Sequence, residues 1–168
     1  MKKFNILKTI VDFTWINLCL GFFCFLVLVA ILICSNNEEK GLNLEFNGIR
    51  IDEIGIKEKI ILFFLLIFTG LIIYVYYQFK TLLRNFSRKK IFINENIKLL
   101  KKMGNNLVIS AFLYAIPAFF YQFYAQKLVL TIGFSYFFIL LVLGLFCMVL
   151  SEIFQISMIQ KEENELTV

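Results

Sequence analysis

Residues 60–79 read IILFFLLIFTGLIIYVYYQF, a run of twenty residues without a charged side chain. A bilayer core about 30 Å thick requires about 20 apolar residues in an α-helix. Three further uncharged runs lie at about 13–35, 106–126 and 128–151. Backbone groups in lipid must satisfy their own hydrogen bonds, and these runs lack the alternation of barrel strands. Each run therefore predicts a transmembrane α-helix.

The composition supports the same class of protein. Of the 168 residues, 60% are hydrophobic and only 17% are charged, which is well above the apolar share of a soluble domain and below its charged share. The predicted fold class is an all-α membrane protein, a single domain over residues 1–168 with four transmembrane helices.

The positive residues predict the orientation in the membrane. Three Lys or Arg precede the first span, four lie between spans one and two, eight between two and three, one between three and four, and one after span four. On the positive-inside rule, both termini and the central loop lie in the cytoplasm, with twelve positive residues inside and five outside.

A small extracytoplasmic β-hairpin is predicted at residues 41–54, between spans one and two. Residues 42–51 read LNLEFNGIRI, an alternating pattern broken by Asn-Gly, the strongest short-range hairpin signal. A two-residue turn at Asn47 and Gly48 would pair Phe46 with Ile49, Glu45 with Arg50 and Leu44 with Ile51.

Two cytoplasmic segments extend the spans. In the predicted loop over residues 80–105, Leu82, Leu83 and Phe86 keep helical spacing, so span two is expected to continue as an amphipathic helix. A second short helix is predicted after Asn94. The tail over residues 152–168 is predicted to remain helical to about Glu162, because no Gly or Pro stops it.

These two segments carry the predicted interaction surface. Its basic members are Arg84, Arg88, Lys89 and Lys90, and its tail members are Glu162, Glu163, Glu165 and Leu166. We expect the acidic tail to lie against the basic cluster, and anionic lipid headgroups are a further expected ligand of the cations. The simpler alternatives are ordinary positive-inside charge and a solvated chain end.

No residue pattern points to catalysis. The chain contains no histidine, which removes the usual general base and the commonest metal ligand. It also has no phosphate loop, nucleophile elbow or paired carboxylates, and no charge within the four spans. We therefore predict no enzyme activity, no catalytic or metal site and no cofactor. Because the positive charge is concentrated in one loop, direct nucleic-acid binding is not expected either.

Two segments resemble a bacterial membrane family catalogued as domain of unknown function 2975. Residues 86–104 read FSRKKIFINENIKLLKKMG, and the chain ends in EENELTV. The positions that carry the resemblance are Phe92, Asn94, Gly104, Glu163, Leu166, Thr167 and Val168. The resemblance implies a protein of the bacterial cytoplasmic membrane without known enzymatic activity, whose relatives are often encoded beside a small helix-turn-helix regulator.

The first functional hypothesis is a non-enzymatic regulatory or accessory membrane protein that acts through a cytoplasmic or membrane partner. The resemblance implies a helix-turn-helix regulator as that partner, with a membrane complex or a second copy of the chain as alternatives. The second hypothesis is an accessory subunit of a small transporter or exporter, or an immunity protein against a membrane-active peptide. The predicted outer hairpin favours this second class. A membrane enzyme is the third reading.

Overall fold

The computed structural model describes residues 2–34, 44–46, 49–51, 55–124 and 136–166. These residues form four helices, α1 (Lys2–Cys34), α2 (Ile56–Ser87), α3 (Asn94–Tyr124) and α4 (Tyr136–Leu166), and two strands, β1 (Leu44–Phe46) and β2 (Ile49–Ile51). Within the described ranges, four helices are long and apolar enough to cross a membrane, over Ile6–Cys34, Ile56–Ser87, Asn94–Phe120 and Tyr136–Asn164. The prediction of four membrane-spanning helices is confirmed at this level.

The helices are longer than the predicted spans. Each contains 31 to 33 residues and is therefore about 46–50 Å long, about 16–20 Å more than a bilayer core of about 30 Å. α2 continues to Ser87, as its apolar spacing predicts, and α4 continues to Leu166, four residues past the predicted end. The predicted start of the fourth span at residue 128 lies outside the described residues.

The cytoplasmic connection predicted over residues 80–105 is mostly helical, as the predicted extension of span two and the predicted helix after Asn94 imply, but this second helix is neither short nor separate from the third span. α3 is one continuous helix from Asn94 to Tyr124, so only residues 88–93 connect α2 and α3. The charges of Lys101 and Lys102 lie on exposed side chains and do not interrupt the backbone. No proline occurs between Asn94 and the third span to end the helix.

β1 and β2 pair antiparallel, with Leu44 opposite Ile51, Glu45 opposite Arg50 and Phe46 opposite Ile49. The alternating sequence predicts this same register. The predicted turn residues lie outside the described residues, so the hairpin turn and its extracytoplasmic position stay predictions.

The helices pack in chain order, with α1 on α2, α2 on α3 and α3 on α4. A buried cluster at the α1–α2 contact contains Val29, Leu32 and Leu62. Many other apolar side chains face outward, and Phe23 and Phe123, for example, are 67% and 75% exposed. Such a surface suits lipid as the surrounding medium and would be unusual in water.

A second buried cluster, formed by Val75, Met103 and Leu107, lies between α2 and α3. Beside it, the backbones of α3 and α4 lie close together at two glycines. A Cβ atom on Gly104 would lie 2.7 Å from the backbone oxygen of Gly144, and a Cβ atom on Gly144 would lie 3.0 Å from the backbone oxygen of Gly104. Small residues allow helix backbones to approach in a membrane, where apolar burial contributes little to association.

We predict that Gly104→Ala and Gly144→Ala each lower the free energy of unfolding in detergent by about 1–3 kcal/mol, the range for overpacked interiors. The expected readout is a lower thermal melting temperature followed by circular dichroism. Gly21→Ala is the matched control, because a Cβ atom there has no neighbour within 4 Å. Equal melting temperatures for all three variants would show that the glycine contact is not a stabilising approach of α3 and α4.

Candidate functional site: the turn between α2 and α3

α2 ends at Ser87 in a Schellman motif. The N–H of Lys90 donates to the carbonyl of Asn85 at 3.1 Å, and the N–H of Lys89 donates to the carbonyl of Phe86 at 3.0 Å. Lys89 has a φ of 60°, the left-handed conformation that glycine usually supplies at this position. A side chain there costs about 1 kcal/mol relative to glycine. The protein therefore holds a lysine at a position where glycine would be more stable.

A buried pair of asparagines fixes the turn from inside. Asn85 Nδ2 donates to Asn96 Oδ1 at 2.9 Å, and Asn96 Nδ2 donates to the carbonyls of Lys90 and Ile91, both at 2.7 Å. Asn96 has 0% of its surface exposed. Its backbone N–H also donates to the carbonyl of Ile93 at 3.0 Å. One side chain thus joins the end of α2, the connection and the start of α3.

α4 packs against the same turn. Ser151 Oγ donates to the carbonyl of Ile97 at 2.9 Å in a buried position. Phe154, less than one turn farther along α4, lies with its ring centroid 5.9 Å from that of Phe86 and 5.4 Å from that of Phe92. The turn is therefore supported by three helices.

The outer surface of the turn is cationic with an apolar centre. Arg84, Arg88, Lys89 and Lys90 are exposed, and Ile91 and Phe92 are each 41% exposed. These six residues are called the basic turn below. Such a surface can bind anionic groups through its cations and an apolar side chain through Ile91 and Phe92. The side chains of the basic turn are therefore suited to binding another molecule.

The structure brings the four predicted basic residues together. Glu162 and Glu163 are exposed on α4, but Glu162 lies eight residues beyond Phe154, about 12 Å farther along the helix. The backbones of Glu165 and Leu166 form the end of α4, while the side chains of both lie outside the description. Contact between the acidic tail and the basic turn therefore stays a prediction.

The positions that carry the family resemblance have identifiable structural roles where they are described. Phe92 packs on Phe154, Asn94 is the first residue of α3, and Gly104 lies against Gly144. Thr167 and Val168 lie outside the described residues. The resemblance at residues 86–104 thus falls on the turn and on the glycine contact between α3 and α4.

The charge pattern did not predict an ion pair that joins α1 to α2. Asp12 Oδ1 lies 2.9 Å from Lys80 Nζ, and Lys80 Nζ lies 4.4 Å from the centroid of the Trp15 ring. The Trp15 and Tyr77 ring centroids are 6.2 Å apart. Because Asp12 and Lys80 are partly exposed, this pair contributes at most about 1 kcal/mol. It links α1 to α2 and offers no reactive group.

We predict that Asn96→Ala lowers the free energy of unfolding by at least about 2 kcal/mol, because it leaves two carbonyls and the Asn85 amide without their partner. Asn85→Ala removes one bond and is expected to have a smaller effect. Asn105→Ala is the control, since this residue is exposed on the same helix, and it should change stability by less than about 0.5 kcal/mol. Similar melting curves for Asn96→Ala and Asn105→Ala would contradict the role assigned to Asn96.

Neither a curated protein nor a solved structure matches this chain. The model of the family described as Protein of unknown function (DUF2975) matches residues 37–168. The matched region includes both strands, α2, α3 and α4, and therefore the whole basic turn. The resemblance noted in the sequence is confirmed, and the chain belongs to the DUF2975 family of proteins of unknown function.

Proposed function

We propose that the protein is a non-enzymatic regulatory or accessory component of the bacterial cytoplasmic membrane that binds a protein partner through the basic turn. The observation that carries this proposal is the left-handed conformation of Lys89, a lysine in a position suited to glycine. Backbone strain that the surrounding structure maintains is commonest at functional positions.

Ordinary positive-inside charge is the competing explanation for the cations. Topology needs only that positive residues lie in the loop, and it sets no requirement on the conformation of each one. Lys89 is instead held by the hydrogen bonds of the turn, which the buried Asn96 amide fixes in place. A lysine near the carbonyl end of α2 regains part of its conformational cost from the helix dipole. Neither the positive-inside rule nor the helix dipole explains why the side chains of Ile91 and Phe92 are exposed, and their exposure favours a binding role.

The partner expected from this surface is acidic and carries an apolar side chain that packs on Ile91 and Phe92. A small helix-turn-helix regulator, implied by the family resemblance, is the proposed protein. The acidic end of α4 is a candidate competitor for the same cations. An exposed ion pair contributes at most about 1 kcal/mol, so an external partner with several acidic groups would displace it.

The paired strands favour a second candidate function. β1 and β2 lie between α1 and α2 in the chain, on the side that the charge count places outside the cytoplasm. A small extracytoplasmic hairpin suits an accessory subunit of an exporter or an immunity protein that meets a membrane-active peptide. Under this proposal the ligand is met at the outer surface, and the basic turn has only a topological role.

The orientation can be tested with single cysteines at positions 47 and 87 in a chain whose four native cysteines have been replaced. We expect an impermeant thiol reagent to label Asn47→Cys in intact cells and to label Ser87→Cys only after the cells are opened, because the charge count places residue 87 inside. Labelling of Ser87→Cys in intact cells would overturn the proposed orientation.

We predict that Lys89→Gly raises the free energy of unfolding by about 1 kcal/mol, because glycine adopts the left-handed conformation without strain, while it lowers the amount of partner recovered in mild detergent. Replacement of Arg88, Lys89 and Lys90 by glutamine should lower recovery further. Lys98→Gln is the control, as it removes one exposed cation from α3 outside the basic turn.

The identity of the recovered protein separates the two candidate functions. A DNA-binding regulator supports the first, and an ATPase or transporter subunit supports the second. Recovery that is unchanged in Lys89→Gly and in the triple variant would refute a partner site at the basic turn.

A further inference from the structure

A slot of about 460 Å³ lies between α2 and α3 at the end opposite the basic turn. Ile61 and Phe64 line it on α2, and Pro117 and Phe120 line it on α3. Apart from Lys57 at one end, every described residue that lines the slot is apolar. Ile61 and Pro117 are buried, whereas Phe120 is 65% exposed, so the slot has a closed floor and an open side.

The slot is elongated and opens towards the medium around the helices. From Lys57 to Phe64 it extends over seven residues of α2, about 10 Å. Its open side carries Phe120 and Phe123, which are 65% and 75% exposed. In a bilayer the medium at this side is lipid, so an acyl chain is the occupant that the surroundings supply.

The slot is charged at one end and apolar along the rest of its length, as a lipid molecule is. Lys57 lies in the first turn of α2, which begins at Ile56, just outside the uncharged run that starts at residue 60. The aromatic walls formed by Phe64 and Phe120 lie deeper in the span. A lysine at the end of a transmembrane helix places its ammonium group at the depth of the headgroups. The charged end of the slot therefore coincides with the headgroup layer, and the apolar part with the hydrocarbon.

Two neighbouring charged residues in the first turn of α2 make contacts outside the slot. Lys59 Nζ donates to the carbonyl of Ile33 at 3.1 Å, near the end of α1. Glu58 Oε2 accepts a hydrogen bond of 3.0 Å from the backbone N–H of Gly55, at the start of α2. Lys57 is the charged residue among the described lining of the slot, and its ammonium group is a cation.

We propose that this slot binds an anionic phospholipid of the surrounding bilayer, with one acyl chain between α2 and α3 and its phosphate at Lys57. The acyl chain provides the apolar surface that the aromatic walls require, and the phosphate provides the charge that complements the ammonium group. This site is distinct from the basic turn and lies at the other end of the bundle.

The test uses the full chain in vesicles, with Trp15→Phe and Phe120→Trp placing the single tryptophan at the slot. Brominated phosphatidylglycerol, which is anionic, is compared with brominated phosphatidylcholine, which is zwitterionic, as a quencher of its fluorescence. We expect a preference of about fivefold for phosphatidylglycerol, the size of the attraction of one basic residue to an anionic lipid. Lys57→Gln should remove that preference, and Lys57→Arg should retain it.

Lys59→Gln is the matched control, since it removes a lysine two residues away that binds the end of α1, and the preference should remain. Equal quenching by both lipids before any lysine is changed would mean that only bulk lipid occupies the slot and would refute the proposal. Loss of the preference in both glutamine variants would refute it as well, because the effect would then be general surface charge. Native mass spectrometry of the chain with Trp15 and Phe120 unchanged gives an independent readout, in which retained phosphatidylglycerol should disappear with Lys57→Gln.

Discussion

The side-chain amide of Asn96 is the interaction on which the arrangement of α2, α3 and α4 depends. It binds two carbonyls of the connection and the amide of Asn85, so it determines where α3 begins relative to the end of α2. The start of α3 in turn places Ile97 opposite Ser151 and Gly104 opposite Gly144. An unsatisfied amide at a fully buried position costs about 1–3 kcal/mol, which makes alternative positions of the turn unfavourable.

Specific polar and small-residue contacts have this importance because apolar burial is weak as a force between membrane helices. Lipid solvates Phe23 or Phe123 as well as a neighbouring helix would. The contacts that distinguish one packing from another therefore include the asparagine pair, the two glycines and the ion pair of Asp12 with Lys80. A hydropathy profile does not reveal any of these three contacts. They align successive helices in chain order, α1 with α2, α2 with α3 and α3 with α4.

The same physics determines what the sequence alone could predict. Uncharged runs predict helices reliably because a bilayer permits few alternatives, and the helical spacing of Leu82, Leu83 and Phe86 correctly extended α2. The helix after Asn94 was predicted as short and separate from the third span, whereas the two form one helix, because the charges of Lys101 and Lys102 end the uncharged run without ending the helix. The role of Asn96 was missed, although Asn96, Leu100, Met103 and Leu107 share one helical face and that spacing places the amide on the buried side. Its partner Asn85 belongs to another helix, and a pairing across a turn cannot be obtained from the period of either helix.

The positive residues of the two ends differ in what surrounds them, and this difference gives each end its own chemistry. At the basic turn, four cations lie together on a rigid frame beside two exposed apolar side chains, a pattern that suits a folded acidic surface several residues wide. At the other end, Lys57 contributes one charge to a slot whose remaining described lining is apolar, a pattern that suits a single headgroup with a chain behind it. The slot opens towards the apolar medium around the helices, whereas a lipid chain would gain little from the exposed cations of the turn. The number of charges and the shape of the apolar surface beside them therefore favour different ligands at the two ends, a protein at the basic turn and a lipid at the slot.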